Sequence, residues 1–288
     1  MKKIDLDKIK KKKTIKELLE FSIINLDKPA GPTSFDAIEK AKKILGVKKT
    51  SHFGTLDPMV TGVLPMAINR ACRLSTWFMK KDKTYVGIMH LHEDISEKKL
   101  KEEMKKFLGK ITQLPPVRSR VKRQERERQV SRFEIIEKKD KDVLFISEVE
   151  AGTYIRKLIH DLGLRIGGAH MTALRRTKAG IFSESDSGFV NLYDLEKAVD
   201  EYKKGKEESL RKILIPGEIV SKIMSVVQVK KEFLQRLHTG SPLLSSFIKE
   251  KEKIVSDNIA VFSDDKLIGV YEVRNAADVV AVPKFVFN

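Results

Sequence analysis

Hydrophobic positions along this chain recur alternately at strand spacing and at helix spacing, which predicts a mixed succession of elements. Residues 15–21 read as a short helix, and residues 23–26 as a strand running into an Asp27-Lys28-Pro29 loop. Thr33 or Ser34 can cap the next helix, which carries Phe35, Ile38 and Ile44 on one face and stops at Gly46. Apolar residues from Val60 to about Ile68 read as a buried strand, and residues 70–80 as a helix that turns Trp77 and Phe78 to the core. Residues 83–92 alternate, with Tyr85, Met89 and Leu91 on one side and Val86, Ile88, His90 and His92 on the other. Ser96 caps a helix whose buried face is Leu100, Met104, Phe107 and Leu108 and which Gly109 ends.

In the second half, residues 132–137 and 143–149 form a predicted hairpin around a Lys138-Lys139-Asp140-Lys141-Asp142 turn. The second of these strands is expected to deliver Tyr154 and Arg156. Residues 155–166 then read as a helix closed by Gly167-Gly168, and residues 170–178 as a strand that turns Leu174 inward. A charged helical connector covers 191 to about 213, and Pro216-Gly217 marks a boundary. Beyond it come short apolar runs separated by turns, which predict a small β-barrel. Residues 1–13 are dense in lysine and read as a flexible basic arm. The expected divisions are therefore 1–13, 14–215 and 216–288.

Composition narrows the partners. The chain has 288 residues with 41% hydrophobic content, enough for two domains and a sizeable core. Its 57 lysines and arginines outweigh 40 acidic residues, a net charge of +17 that points to a polyanion, with nucleic acid ahead of a membrane surface. No apolar run approaches the roughly 18 residues of a spanning helix, and no secretory segment follows the basic start, so a soluble, cytoplasmic protein is expected. The single cysteine, Cys72, cannot form an internal disulfide and reads as a small buried apolar residue.

Candidate chemistry concentrates in His52-Phe53-Gly54-Thr55-Leu56-Asp57-Pro58, continued by Met59 to Pro65. Gly54 and Gly62 permit positive φ or close backbone approach, and Pro58 holds Asp57 extended, so one carboxylate is displayed on a rigid turn. An Asp in such a place can also merely cap its turn. A second stretch, Glu150 to Leu158, offers Tyr154 and Arg156 at adjacent same-side positions. A guanidinium facing Asp57 would keep it ionised and aimed, and Tyr154 could pack a planar substrate or the arginine stem. His90 and His92, followed by Glu93 and Asp94, suggest a metal pair, but no third ligand stands at recognisable spacing, and no metal is assigned. The proline-led basic loop at 115–123 holds Arg118, Arg120, Lys122 and Arg123, with Arg126, Arg128 and Arg132 continuing the charge. Such residues position RNA through its phosphates, or form a solvated hairpin.

Together the two stretches resemble the TruB and dyskerin branch of the pseudouridine synthases, RNA enzymes that turn a uridine into its C-glycoside isomer. Further pieces fall in that family's order: Asn25-Leu26-Asp27-Lys28-Pro29 with Gly31-Pro32-Thr33-Ser34, Lys83-Thr84-Tyr85, and Leu174-Arg175-Arg176-Thr177 before Gly180 and Phe182. Nearly the whole chain is covered, and the archaeal dyskerin-type catalytic subunit of box H/ACA particles looks most similar. The resemblance implies an α+β fold: a mixed, mainly antiparallel sheet with surrounding helices and a central RNA cleft, and a C-terminal PUA-like barrel for the guide-RNA end. It implies Asp57 as nucleophile, Tyr85 as the tyrosine stacking on the target base, and Arg156 as the partner of Asp57. It places His52, Tyr154, Leu174 and the Lys28 loop near substrate, and makes the 115–123 loop a thumb that closes over RNA. No cofactor is implied. The implied partners are guide RNA, substrate RNA, and three particle proteins: a small zinc-ribbon type, a glycine/arginine type and a kink-turn-binding ribosomal type.

Two departures stand out. The family commonly reads Gly-His-Ser-Gly where this chain has Ser51-His52-Phe53-Gly54, and a Gly-Asp turn where it has Ser256-Asp257. Alternative readings are a stand-alone tRNA pseudouridine-55 synthase and a non-catalytic RNA-binding scaffold.

Overall fold

The computed structural model describes residues 4–115, 122–250, 254–276 and 278–287. Ten strands form one large sheet: β1 (Phe21–Lys28), β2 (Thr50–His52), β3 (Thr61–Asn69), β4 (Lys83–Leu91), β5 (Gly109–Gln113), β6 (Arg126–Lys139), β7 (Asp142–Val149), β8 (Ala169–Ala179), β9 (Phe182–Ser183) and β10 (Ile215–Pro216). Their order is β10-β1-β3-β8-β4-β7-β6-β5, with β2 paired to β3 and β9 to β8. Only β3 and β8 run parallel within it, so the sheet is mixed and mainly antiparallel. A second sheet holds β11 (Ser225–Gln228), β12 (Leu243–Leu244), β13 (Asn258–Ser263), β14 (Lys266–Ala276) and β15 (Val279–Val286), in the order β11-β13-β14-β15-β12. A bridge between Val229 and Ile248 brings the two ends of that path together, so the sheet curls towards a barrel.

Among the described residues the α-helices are α1 (Leu6–Lys12), α2 (Ile15–Glu20), α3 (Ser34–Leu45), α4 (Ser75–Met79), α5 (Glu97–Lys105), α6 (Ile155–Gly163), α7 (Leu192–Lys203), α8 (Glu208–Ile213) and α9 (Leu234–His238). Local chemistry sets their starts. Thr33 and Asp36 form a capping box at α3, and Ser96 and Asn191 accept amide hydrogens at α5 and α7. Apolar faces of α3, α5, α6, α7 and α8 meet one face of the large sheet in the main core, which contains Tyr85, Met89, Phe145 and Leu174. The opposite face, through Phe21, Ile23, Val63 and Ala67, packs on Val226, Phe262, Leu267 and Phe285 of the second sheet. No described helix is long and apolar enough to cross a membrane.

Several expectations give way to tertiary context. Residues 6–12 form a helix where a flexible arm is expected from sequence. Ile4 and Ile9 are buried, Arg211 donates to the Lys10 and Lys13 carbonyls, and Lys13 meets Glu218 at 2.5 Å. Phe35 stands exposed, because Ser34, Ala37, Ile38, Ala41 and Leu45 fill the inner face of α3. Leu108 is exposed too, since α5 stops at Lys105. The connector at 191–213 divides into α7 and α8, with Gly205 at φ 85° between them. Tyr154 and Arg156 leave no strand: β7 ends at Val149, Tyr154 is the N-cap of α6, and Arg156 lies in its first turn.

Candidate active site

The turn between β2 and β3 carries Asp57, and the first turn of α6 carries Arg156; Nη2 of Arg156 donates to Oδ2 of Asp57. Both side chains are more than half exposed, so the pair contributes little to stability, on the order of 0–1 kcal/mol. Its consequence is geometric: a permanent cation fixes one carboxylate oxygen through a single contact and leaves the carboxylate open to solvent.

The turn itself is bound from three sides. Ser34 Oγ accepts the Leu56 N–H at 2.7 Å and donates to the Leu56 carbonyl at 3.0 Å. Arg176, only 1% exposed, donates from Nε to the Val63 carbonyl and from Nη2 to the Gly54 carbonyl, at 2.7 and 2.9 Å. Lys28 Nζ donates to the carbonyls of Pro29, Pro58 and Val60 at 2.8–2.9 Å. Its side chain is fully buried, so Lys28 braces the turn from behind, with its ammonium hydrogen bonds going to backbone carbonyls. Burial lowers the Lys28 pKa, and attraction to the Asp57 charge opposes that shift. The glycines behave as their spacing suggests: Gly54 and Gly62 have φ of 114° and 100°. A Cβ on Gly62 would lie 2.3 Å from the Arg176 carbonyl oxygen, so β3 can approach β8 here only without a side chain.

Phe53 does not intrude on the site. Its ring is buried and stacked on Phe78 at 4.8 Å, with Phe182 at 6.0 Å, so the bulky residue points into the core between the sheets. His52 ends β2 with Nε2 3.1 Å from Thr55 Oγ1, and burial together with the Arg176 cation lowers its pKa.

Tyr85 and Leu174 lie on neighbouring strands β4 and β8, on the helix-covered face, 9% and 8% exposed. Gly87, opposite Leu174, leaves room for it: a Cβ there would meet Leu174 Cδ1 at 2.8 Å and Phe145 at 2.7 Å. Tyr154 is held through its backbone, its N–H donating to Gln113 Oε1 at 3.0 Å and its carbonyl accepting from Gln113 Nε2 at 3.2 Å. Lys83 is buried against the Gly54 turn and donates to the Met79 carbonyl at 2.6 Å; burial, then Arg176, takes its pKa down to about 8. Lys122 and Arg123 are exposed just before β6, whereas Arg118 and Arg120 lie outside the described residues. Ser34, Gln113 and Arg176 are missing from the sequence-derived set. Ser34 and Arg176, both in patterns shared with the family, carried a signal that could have raised them; Gln113 carried none.

Comparison with known proteins follows the same lines. Residues 42–155 match the TruB family pseudouridylate synthase N-terminal domain, and residues 156–221 match the tRNA pseudouridylate synthase B C-terminal domain. A probable tRNA pseudouridine synthase B of Pyrococcus furiosus is 45% identical over 237 residues, 81% of this chain and 68% of that protein. One of the same name from Nanoarchaeum equitans is 46% identical over 231 residues, 80% and 66% of the two chains. Among solved structures, a chain of a Cbf5-Nop10-Gar1 complex superposes with a TM-score of 0.86 at 38% identity, covering 96% of this chain and 88% of that one. A chain of an H/ACA RNP bound to a substrate RNA containing 2′-deoxyuridine gives 0.86 at 36%, covering 97% and 89%.

Proposed function

Since the chain belongs to the TruB family of pseudouridine synthases, we propose that it isomerises selected uridines of ribosomal RNA as the catalytic subunit of a guide-directed H/ACA particle, with Asp57 as its acting carboxylate. One observation carries the assignment of the site: an exposed carboxylate fixed by Arg156 on a turn that Lys28, Ser34 and Arg176 hold rigid. Likeness along nearly the full chain to the Cbf5 complex and to the RNA-bound particle supports the guided setting. The partners we assign are guide RNA, substrate RNA and the companion proteins named in those assemblies.

The reaction breaks the C1′–N1 bond, turns the base, and joins C1′ to C5; N1 gains a proton and the C5 hydrogen leaves as one. No electrons are exchanged, so no cofactor is required. Asp57 acts at the sugar, by adding to C1′ as N1 departs or by assisting loss of the base to a glycal while Tyr85 helps remove the C2′ proton. The base must leave its stack to be reached, and the Tyr85 ring beside Leu174 is an apolar seat for it. Arg156 is a positioning residue for Asp57. His52, Tyr154, Lys122 and Arg123 border the path of the strand, the last two as phosphate contacts. A basic cleft of about 590 Å³, lined in part by Lys16, Lys48, Lys49 and Arg73, extends the surface fit for a polyanion.

The names of the curated relatives favour a second reading, modification of tRNA without a guide. Release of tritium from C5-labelled uridine separates the two. Guided turnover requires release from a guide-paired RNA in the presence of the companion proteins and little from bare tRNA. Equal release from tRNA by this protein alone would overturn the guided reading in favour of the stand-alone one.

A further inference from the structure

At the far end of β4 from the Asp57 turn, three imidazoles and a carboxylate come together, His90, Asp142 and His170 on three adjacent strands and His92 just past the end of β4. His90 on β4 stands in register with Asp142 on β7 on one side and with His170 on β8 on the other. Residues opposite one another on paired strands project to the same face, and His92, in the bend just past the end of β4, brings its ring to His170. The ring centroids of His90 and His170 are 5.5 Å apart, and those of His92 and His170 are 5.2 Å apart. His92 Nε2 lies 3.0 Å from His170 Nδ1, and His90 Nδ1 lies 2.8 Å from Asp142 Oδ1.

We propose that His90, His92 and His170 form a binding site for a borderline divalent transition ion of the zinc, nickel or cobalt class, with Asp142 as the carboxylate that orients His90. Sequence offered only His90 and His92; the fold supplies the third imidazole from 78 residues further on. Two nitrogens bound to one tetrahedral ion at ~2.0–2.1 Å stand about 3.3 Å apart, close to the separation His92 and His170 already have. The Asp142 carboxylate accepts a hydrogen bond from Nδ1–H of His90 and so leaves Nε2 as that ring's ligand atom, the arrangement usual behind metal-bound histidines. His92 is held by its surroundings. Its N–H donates to the Gly168 carbonyl at 2.9 Å, and its ring lies so close to Gly168 that a Cβ there would be 2.3 Å from Nδ1. Nδ1 is therefore packed against backbone, while Nε2 faces His170. All three rings are within reach of solvent, and neutral imidazoles select for this group of metals over calcium or magnesium. Among the described residues no three ligating side chains yet converge on one point; here the His92–His170 hydrogen bond occupies the place the ion would take. Binding would exchange that bond for a metal bridge between β4 and β8, and so lock this end of the sheet.

The test uses the full chain, free of any tag and stripped with a chelator, titrated with zinc chloride at pH 7.5 by calorimetry, with thermal unfolding followed in parallel. One equivalent per chain and a raised Tm are expected. The His92→Ala and His170→Ala variants should each bind at least about tenfold more weakly and lose the Tm increase, and Asp142→Asn should weaken binding by about tenfold. His238→Ala, on the second sheet side of the molecule, should bind as the wild type does. Because these side chains are exposed, circular dichroism of each variant should match the wild type. Absence of saturable zinc binding, or unchanged affinity in a His92→Ala/His170→Ala double variant, would overturn the site. Wild-type affinity in Asp142→Asn would overturn the role of His90 within it.

Discussion

Removal of one oxygen atom behind the Asp57 turn offers the sharpest test of how that turn is held. Ser34→Ala deletes a buried hydroxyl that accepts the Leu56 N–H and donates to the Leu56 carbonyl, at 2.7 and 3.0 Å. Leu56 is itself only 3% exposed, so neither backbone group finds water without local opening. A stranded buried donor or acceptor costs about 1–3 kcal/mol; with two affected and some relaxation, a destabilisation of about 2–4 kcal/mol is expected. The loss is local to the residue preceding Asp57, so activity should fall beyond what unfolding explains. If about 1.4–2.8 kcal/mol of it appears as misplacement of the carboxylate, single-turnover release of C5 tritium slows by about 10–100-fold. The urea midpoint, followed by circular dichroism, reads the first quantity, and a rapid-quench time course at saturating RNA reads the second. A variant within about 0.5 kcal/mol of wild-type stability and twofold of its rate would refute the idea that Ser34 holds the turn.

Three other perturbations bear on the same framework. Lys28→Met removes a buried amine and leaves the Pro29, Pro58 and Val60 carbonyls unpaired; it should destabilise the chain by a few kcal/mol and lower kcat while RNA affinity holds, which filter binding and tritium release would separate. A loss of RNA affinity with kcat unchanged would instead make Lys28 a substrate contact. Gly62→Ala places a Cβ 2.3 Å from the Arg176 carbonyl at a φ of 100°, and should cost at least about 3 kcal/mol in a urea melt; a neutral effect would contradict the close β3–β8 approach. His52 titrates below the usual histidine range in the folded chain, so the unfolded chain takes up its proton first as pH falls. The wild type should therefore lose stability relative to His52→Gln as pH drops through about 6.5 towards the lower folded value, and parallel urea midpoints across that interval would deny the shift.

How much of this was legible beforehand depended on the range of the contacts involved. The alternation of residues 83–91 reproduces the buried face of β4, because one face of a strand against a helical layer leaves a period of two in the sequence. The positive φ at Gly54 and Gly62 was readable from residue type, and the facing of Arg156 to Asp57 from the family resemblance. The burial of Lys28 was not legible because a lysine between Asp and Pro looks solvated, and the carbonyls that satisfy it at Pro58 and Val60 are some 30 residues away. The departure at Phe53 gave no hint of where its ring goes, because Phe78 and Phe182, which provide its apolar seat, are distant in sequence. The basic segment before residue 13 looked unable to bury a core by itself, and the contacts that hold it are distant in sequence: Ile4 and Ile9 bury against the two-sheet core, while α1 ends in Lys10, Lys11 and Lys12. His170 carried no signal towards His90 and His92, since only the β4–β8 register brings them together.

The central claim, that the Asp57 carboxylate acts on the target uridine, is tested most directly by Asp57→Asn. This substitution keeps the size of the side chain and removes its charge. Measured at saturating guide-paired RNA with the companion proteins present, C5 tritium release should fall by at least about a thousandfold while RNA binding and the urea midpoint stay near wild type. Release within tenfold of the wild-type rate would contradict the claim and require a different group to act on the sugar.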